Sequence, residues 1–277
     1  MSENIVSVSW LNENISSENI KVIDCRFHLT DPVQGFNDYL EGHIPGALYF
    51  DLNKDLSSEV KEHGGRHPLP NIQDFSEKLG AAGITFETTV IAYDDQAGAF
   101  ASRLWWLLRF IGHKKVFVLD EGYSAWINSG LPITKEIPQF QKLEYIPNQQ
   151  QHFVANVEDV KQSIQQNKGY IIDSREAIRY KGIEEPIDNK AGHIPGAINH
   201  FWKDVLDNQK WKNKQQLEDL FTDLDKDKEV VVYCGSGVTA CPNVLALNEL
   251  GFKNVQLYPG SWSDWITYPE NPIRTMK

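Results

Sequence analysis

Cysteine is scarce in this chain: among 277 residues there are three, Cys25, Cys234 and Cys241. Three thiols at those spacings make no disulfide framework, which excludes the small stapled scaffolds and favours a reducing, cytoplasmic compartment. Paired Cys or His at metal-ligand spacing is also missing, so no metal site is expected. Positive charge is in deficit, with 27 Lys and Arg against 38 Asp and Glu, for a net charge of −11. That balance argues against nucleic acid or an anionic membrane as partner, while leaving room for a local basic pocket. No apolar run approaches the roughly 18 residues of a membrane-spanning helix. The opening "MSENIVSVSW" has neither the basic nor the apolar region of a secretory signal, so no leader is expected.

What the chain does have, it has twice. "KVIDCRF" at 21–27 returns as "YIIDSRE" at 170–176, and "EGHIPGALYFDL" at 41–52 as "AGHIPGAINHFW" at 191–202. "TTVIAYDD" at 88–95 returns as "KEVVVYCG" at 228–235. The stretch "GHKKVFVLDEGYSAWINSGLPI" at 112–133 returns as "GFKNVQLYPGSWSDWITYPENPI" at 251–273. The order is the same and the period is that of a whole domain, so this is a tandem duplication rather than a solenoid. A polar tract rich in Pro and Gln, 134–153, lies between the copies and reads as a linker. The domains are therefore expected at 1–138 and 150–277.

Within each copy, short β-branched runs alternate with helical patterns. "YIIDS", "EVVVY" and "VQLY" read as buried strands, and "VEDVKQSIQ", "NKQQLEDLFTDL" and "ACPNVLALNEL" as helices. The fold class is α/β: a mostly parallel sheet in each copy with helices on both faces. Ligands of such sheets sit beyond the carboxyl ends of the strands, and Cys234 follows directly on one of them.

Comparison of the copies separates scaffold from chemistry. The repeated "GHIPG" is a turn, and His43 and His193 within it read as structural hydrogen-bonding residues. Cys25 matches Ser174 and reads as structural too. After the strand, however, the copies diverge: "YDDQAGAFASRLWW" in the first, "YCGSGVTACPNVL" in the second, with Asp94 where the second has Cys234. A cysteine needed only for packing is not replaced by aspartate. Gly235, Ser236, Gly237, Val238, Thr239 and Ala240 are small or β-branched enough to curl their N–H groups around the sulfur, forming a nest for an anion. A helix starting near Ala240, with Pro242 in its first turn, adds its positive end. Such settings favour the thiolate, so Cys234 reads as a nucleophile. Cys241 reads as a small packed residue at the helix start. A Cys-x5-Arg phosphatase loop would need arginine at position 240, and a phosphate-binding P-loop would need Gly-Lys-Ser/Thr; neither is present.

These residues resemble the two-domain rhodanese family of sulfurtransferases over nearly the whole chain. The resemblance rests on "DCR" and "DSR", the doubled "GHIPGA", "CGSGVTAC" and "GSWSDW". It implies a non-catalytic first domain, a catalytic second one, and transfer of a sulfane sulfur through a persulfide on Cys234, with no metal or organic cofactor. The loop is similar to that of enzymes using 3-mercaptopyruvate, whereas thiosulfate-preferring members carry a basic loop. Arg179 matches the arginine that holds the donor's anionic group, a role suited to a two-pronged guanidinium. A second such arginine, usual after "EP", has Ile187 or Asp188 near its place, and Lys181 or Lys190 is the available substitute. The resemblance also implies a Ser–His–Asp arrangement, with Ser236 as the serine and His67 of "GGRHPLP" as the histidine; Asn53 stands at the aspartate position. Arg66 is a further candidate for contacting the donor. The acceptor would be a thiol, such as a thioredoxin-like protein, or cyanide. Thiosulfate:cyanide transfer as the main activity, and a non-enzymatic persulfide carrier or redox-sensing module, are the competing readings.

Overall fold

The computed structural model describes residues 3–276, which divide into two compact units. The first holds the residues up to Ser58, with Pro70–Gln150 and Asn208–Trp211; the second holds Glu59–Leu69, Gln151–Asp207 and the residues from Lys212 on. Two departures from the expected division matter. Glu59–Leu69, which carries Arg66 and His67, belongs to the second unit rather than to the first. The tract after Pro132 is not a free linker: Leu143 donates to the Gly80 carbonyl, Asn148 to that of Ile111 and Gln150 to that of Phe110, and Tyr145 is buried. Backbone pairing and one anchored aromatic thus tie this polar stretch to the first unit, a contact that its composition conceals.

In the first unit, strands β1 (Ile5–Val6), β2 (Ile20–Asp24), β3 (Leu48–Tyr49), β4 (Thr89–Tyr93) and β5 (Val116–Leu119) form one parallel sheet in the order β1-β5-β4-β2-β3. The register sets Val22 opposite Ile91 and Ile91 opposite Phe117. Helices α1 (Val8–Asn14), α2 (Gln34–Glu41), α3 (Ile72–Ala81), α4 (Ala99–Phe110) and α5 (Gly122–Asn128) fill the connections. Ser7 and Asn71 cap α1 and α3 by accepting otherwise unpaired first-turn N–H groups. One core face gathers Leu11, Val22, Ile91, Tyr93, Leu119 and Trp126.

The second unit repeats the plan. Strands β6 (Tyr170–Asp173), β7 (Ile198–Asn199), β10 (Glu229–Tyr233) and β11 (Asn254–Leu257) pair in parallel in the order β11-β10-β6-β7; the two-residue strand β8 (Leu206–Asp207) lies outside this sheet, and β9 (Lys210–Trp211) falls in the stretch that belongs to the first unit. The helices are α6 (Val157–Gln166), α7 (Ala177–Tyr180), α8 (Lys214–Leu220), α9 (Cys241–Glu249) and α10 (Ser261–Trp265). The central strands lie between two layers, so both their faces are apolar: Ile172 and Val232 are fully buried beside Ile171 and Val231. Truncating Ile172 to Ala would cost about 2–5 kcal/mol in transfer and cavity terms. Helix α9 is buried from Cys241 through Leu247, as befits the central helix of a three-layer stack.

The sequence repeat is a repeat of polar wiring. Asp24 accepts from the Arg26 guanidinium at 2.6 Å and from the Tyr93 hydroxyl at 2.6 Å, and Arg26 reaches the Gly42 carbonyl at 2.8 Å. In the second unit Asp173 accepts from Arg175 at 2.6 Å and Tyr233 at 2.7 Å, and Arg175 reaches the Gly192 carbonyl at 2.7 Å. Burial and then the Asp173 charge push the Tyr233 hydroxyl far up, so it remains a donor. His43 and His193 each bond through Nδ1 to a carbonyl, of Tyr39 and Tyr180, at 2.7 Å and stack on that same tyrosine. Burial holds His193 below the ordinary histidine range, hence neutral. These buried pairs fix the two "GHIPG" turns at the strand ends.

Candidate active site

Strand β10 ends at Tyr233, and Cys234 is the next residue, only 1% exposed. Its backbone is held on both sides. The Cys234 N–H donates to Ser261 Oγ at 3.1 Å, and its carbonyl accepts from the Trp262 N–H at 3.0 Å. The Gly235 carbonyl accepts from the Ser263 N–H at 2.9 Å. The start of α10 thus takes up the carbonyls that the strand leaves behind. The loop then turns back, and the Gly237 N–H donates to Cys234 Sγ at 3.2 Å. Glycine is required at 237: φ is +76°, and a Cβ would lie 2.2 Å from the Pro259 carbonyl oxygen. Among the described residues, the N–H groups of Ser236, Val238, Thr239 and Ala240 have no hydrogen-bond acceptor. Ala240 is the N-cap of α9 and Pro242 sits in its first turn. Cys241 is fully buried, its Sγ donating to the Gly237 carbonyl at 3.4 Å.

The matching position in the first unit is built differently. Both oxygens of Asp94 are engaged: Oδ1 accepts from Gln96 and Gly98 at 2.9 and 2.8 Å, Oδ2 from Phe100 and Ala101 at 2.8 and 2.9 Å. Burial pushes the Asp94 carboxyl up from its ordinary value, and the four amides oppose that push. Beside it, burial and then the Asp24 and Asp94 charges push the Cys25 thiol well up, which keeps it protonated.

Beside Cys234 the second unit assembles a charged cluster. Arg179, at the end of the single-turn helix α7, makes a two-pronged contact with Glu185: Nη2 at 2.7 Å from Oε1 and Nε at 3.0 Å from Oε2. Its Nη2 also reaches Asp188 Oδ2 at 3.2 Å. Glu185 takes Arg175 Nη1 at 3.2 Å as well, and the N–H groups of Ile187 and Asp188. Burial pushes Glu185 up, but the Arg179 hydrogen bond and charge outweigh it, so the carboxyl lies below its ordinary range and is ionised. Arg66 donates from Nη1 to Asp188 Oδ1. A Cβ placed on Gly235 would lie 2.9 Å from Arg66 Nη2 and 3.6 Å from Arg179 Nη2, so both guanidiniums stand over the residue next to the thiol.

Residues 63–67 reach this place because "GSWSDW" grips them. Asp264 Oδ1 accepts the Gly64 N–H at 2.7 Å, Ser263 Oγ accepts the Arg66 N–H at 3.1 Å, and the His63 ring stacks on Tyr268 at 4.2 Å. Gly65, at φ +78°, passes so close to the Gly260 carbonyl that a Cβ would lie 2.3 Å from its oxygen. The next residue, His67, is buried and has Nδ1 2.8 Å from Ser236 Oγ. Ser236, His67, Arg66, Arg179 and Cys234 therefore share one region. Lys190 does not join them: its Nζ is spent on the Ile266 carbonyl at 2.9 Å. Sequence reasoning missed Glu185, Asp264 and Ser263 and gave Asp188 no role. For Asp264 a signal existed, since the first copy has Ala125 at the matching place.

The family profile described as the rhodanese-like domain matches residues 7–129 and again 156–268. A protein of Pseudomonas aeruginosa named probable 3-mercaptopyruvate sulfurtransferase is 39% identical over 280 residues, covering 99% of each chain. The 3-mercaptopyruvate sulfurtransferase of Escherichia coli strain K12 is 33% identical, with 98% of each chain covered. Among solved structures, SseA from Escherichia coli, described as showing the rhodanese fold of the 3-mercaptopyruvate enzymes, superposes with a TM-score of 0.84 at 32% identity, covering 95% of this chain and all of that one.

Proposed function

This chain belongs to the family built from the rhodanese-like domain, carrying it twice, and on that premise we propose that it is a sulfurtransferase working through a persulfide on Cys234, with 3-mercaptopyruvate as its preferred donor. The observation that carries the proposal is the Cys234 sulfur at a strand end, in hydrogen-bond contact with the Gly237 amide and flanked by Arg66 and Arg179. The thiolate attacks the donor sulfur. The S–S bond forms as the S–C bond breaks, and the electron pair leaves with carbon as the pyruvate enolate, which takes one proton. The Ser236–His67 pair, 2.8 Å apart, is placed to relay that proton. The persulfide anion left on Cys234 gains from the spare amides at 236 and 238–240, which cost no reorganisation when the charge appears. An acceptor thiol, as on a thioredoxin-like protein, or cyanide then removes the outer sulfur. Free thiols at all three cysteines suit a reducing, cytoplasmic setting.

Thiosulfate as the main donor is a second reading, favoured by one observation. The loop itself is uncharged, but the Arg66 guanidinium over Gly235 brings positive charge to the thiol, which suits a dianion. A side chain introduced at 235 would first have to displace Arg66. Steady-state kcat/KM for both donors, with the acceptor varied, tests the proposal. Parallel ping-pong patterns and a higher kcat/KM for 3-mercaptopyruvate are expected. A higher value for thiosulfate would reverse the donor assignment, and no turnover with either would leave a persulfide-carrying module instead.

A further inference from the structure

We propose that Asp188 determines donor specificity: its carboxylate occupies the place of the donor's anionic group on Arg66 and Arg179, so that a donor binds by displacing it, and a dianion pays for this more than a monoanion. The proposal rests on the reading that the donor's anionic end goes to these arginines. Asp188 bridges the two guanidiniums that stand over Gly235, one oxygen to Arg66 Nη1 and the other to Arg179 Nη2. Its side chain is 5% exposed and that of Arg179 13%, so the contact between them is sheltered from solvent, while the Arg66 side chain is 32% exposed. The surrounding charges cancel: Arg66, Arg175 and Arg179 face Asp173, Glu185 and Asp188. An incoming anion therefore finds both guanidiniums already paired with a carboxylate.

Of the three carboxylates, Asp188 is the one able to leave. Asp173 is held by Arg175 and Tyr233, and Glu185 by two arginines and two backbone N–H groups. Among the described residues the Asp188 carboxylate accepts from the two guanidiniums alone, and its neighbour Ile187 is 54% exposed, so its loop has solvent to move into. Coulomb energy scales with the product of charges, so any residual repulsion from Asp188 acts twice as strongly on thiosulfate as on the monoanionic 3-mercaptopyruvate. On a logarithmic scale the effect of removing that charge doubles with the donor's charge.

The test compares the full-length wild type with Asp188→Asn and Asp188→Glu. Measured are kcat and KM for both donors, and the Kd of sulfate, an unreactive dianion, by calorimetry. Asp188→Asn is expected to lower KM by about threefold for 3-mercaptopyruvate and about tenfold for thiosulfate, and to tighten sulfate about tenfold, with kcat moving less than KM. Asp188→Glu, which keeps the charge, is expected to stay near wild type in the ratio of the two KM values. Unchanged or weaker sulfate binding in Asp188→Asn, or a fall in kcat with both KM values unmoved, would overturn the proposal. If wild type turns over neither donor, the sulfurtransferase reading falls, while the sulfate measurement still decides what Asp188 does.

Discussion

Asp94 and Cys234 stand at the same point of two copies of one design, the first residue after the central strand, and the loops that follow them have been finished in opposite ways. In the first unit the loop amides converge on a carboxylate supplied by the chain itself, four N–H groups on two oxygens. In the second the residue is a thiol, one amide touches its sulfur, and others are spare. The strand end followed by a helix start is thus an anion receptor in both. One is closed by its own aspartate; in the proposed mechanism the other receives the charge of a persulfide on Cys234. The shared Asp–Arg–Tyr wiring beneath them is scaffold, and the difference lies in the loop and in what surrounds it.

Several substitutions bear on this contrast. The largest effect is expected at the thiol: Cys234→Ser should abolish transfer from either donor, whereas Cys25→Ser and Cys241→Ser should retain most of it in a steady-state assay. Asp94→Cys added to Cys234→Ser should restore nothing, because Arg66 and Arg179 stand over Gly235 of the second unit, while Arg26 of the first is held by Asp24 and the Gly42 carbonyl; recovered turnover would show that the two loops are equivalent after all. Next comes proton delivery. Ser236→Ala or His67→Ala should lower kcat with 3-mercaptopyruvate by about a hundredfold, and with thiosulfate far less, since sulfite leaves without a proton. Equal losses with both donors would assign the pair to structure.

Arg179→Ala should reduce kcat/KM by roughly ten- to a hundredfold, as expected for loss of a charge-assisted contact of about 1.5–3 kcal/mol. Arg179→Lys should recover only part, because a point charge cannot reproduce the fork. The smallest effect belongs to the closed nest. Asp94→Asn replaces an acceptor oxygen by an N–H₂ facing amides, and should lower stability by about 1–3 kcal/mol while leaving kcat/KM unchanged. Chemical denaturation alongside the assay separates the two readouts.

How much of this could be read from the chain alone depended on whether a feature was repeated or local. Strands β6, β10 and β11, helices α6, α8 and α9 and the two "GHIPG" turns were legible in their periodicity or repetition, whereas the two-residue strands β1, β8 and β9 carry too short a pattern to be read. Cys234 was legible because the copies disagree there. Arg66 and His67 were found only through resemblance, and their true setting was not: Glu59–Leu69 belongs with the second unit, held by Ser263 and Asp264 some 200 residues away in sequence. The sequence leaves Ile187 or Asp188 at the place of the second arginine; that Asp188 bridges Arg66 and Arg179 depends on a contact 122 residues apart, which no local pattern encodes. The polar tract after Pro132 misled for the opposite reason, since its composition is that of a linker while its backbone is bonded to Gly80, Phe110 and Ile111.

The central claim is that the open nest carries sulfur on Cys234. It is tested most directly by exposing the full-length protein to 3-mercaptopyruvate, and separately to thiosulfate, without an acceptor, removing excess donor, and locating added sulfur by peptide mass spectrometry. One extra sulfur atom is expected on the peptide containing Cys234, lost on treatment with a thiol, and none on those containing Cys25 or Cys241. An unmodified Cys234 in an enzyme that turns over, or sulfur found on either of the other two cysteines instead, would contradict it.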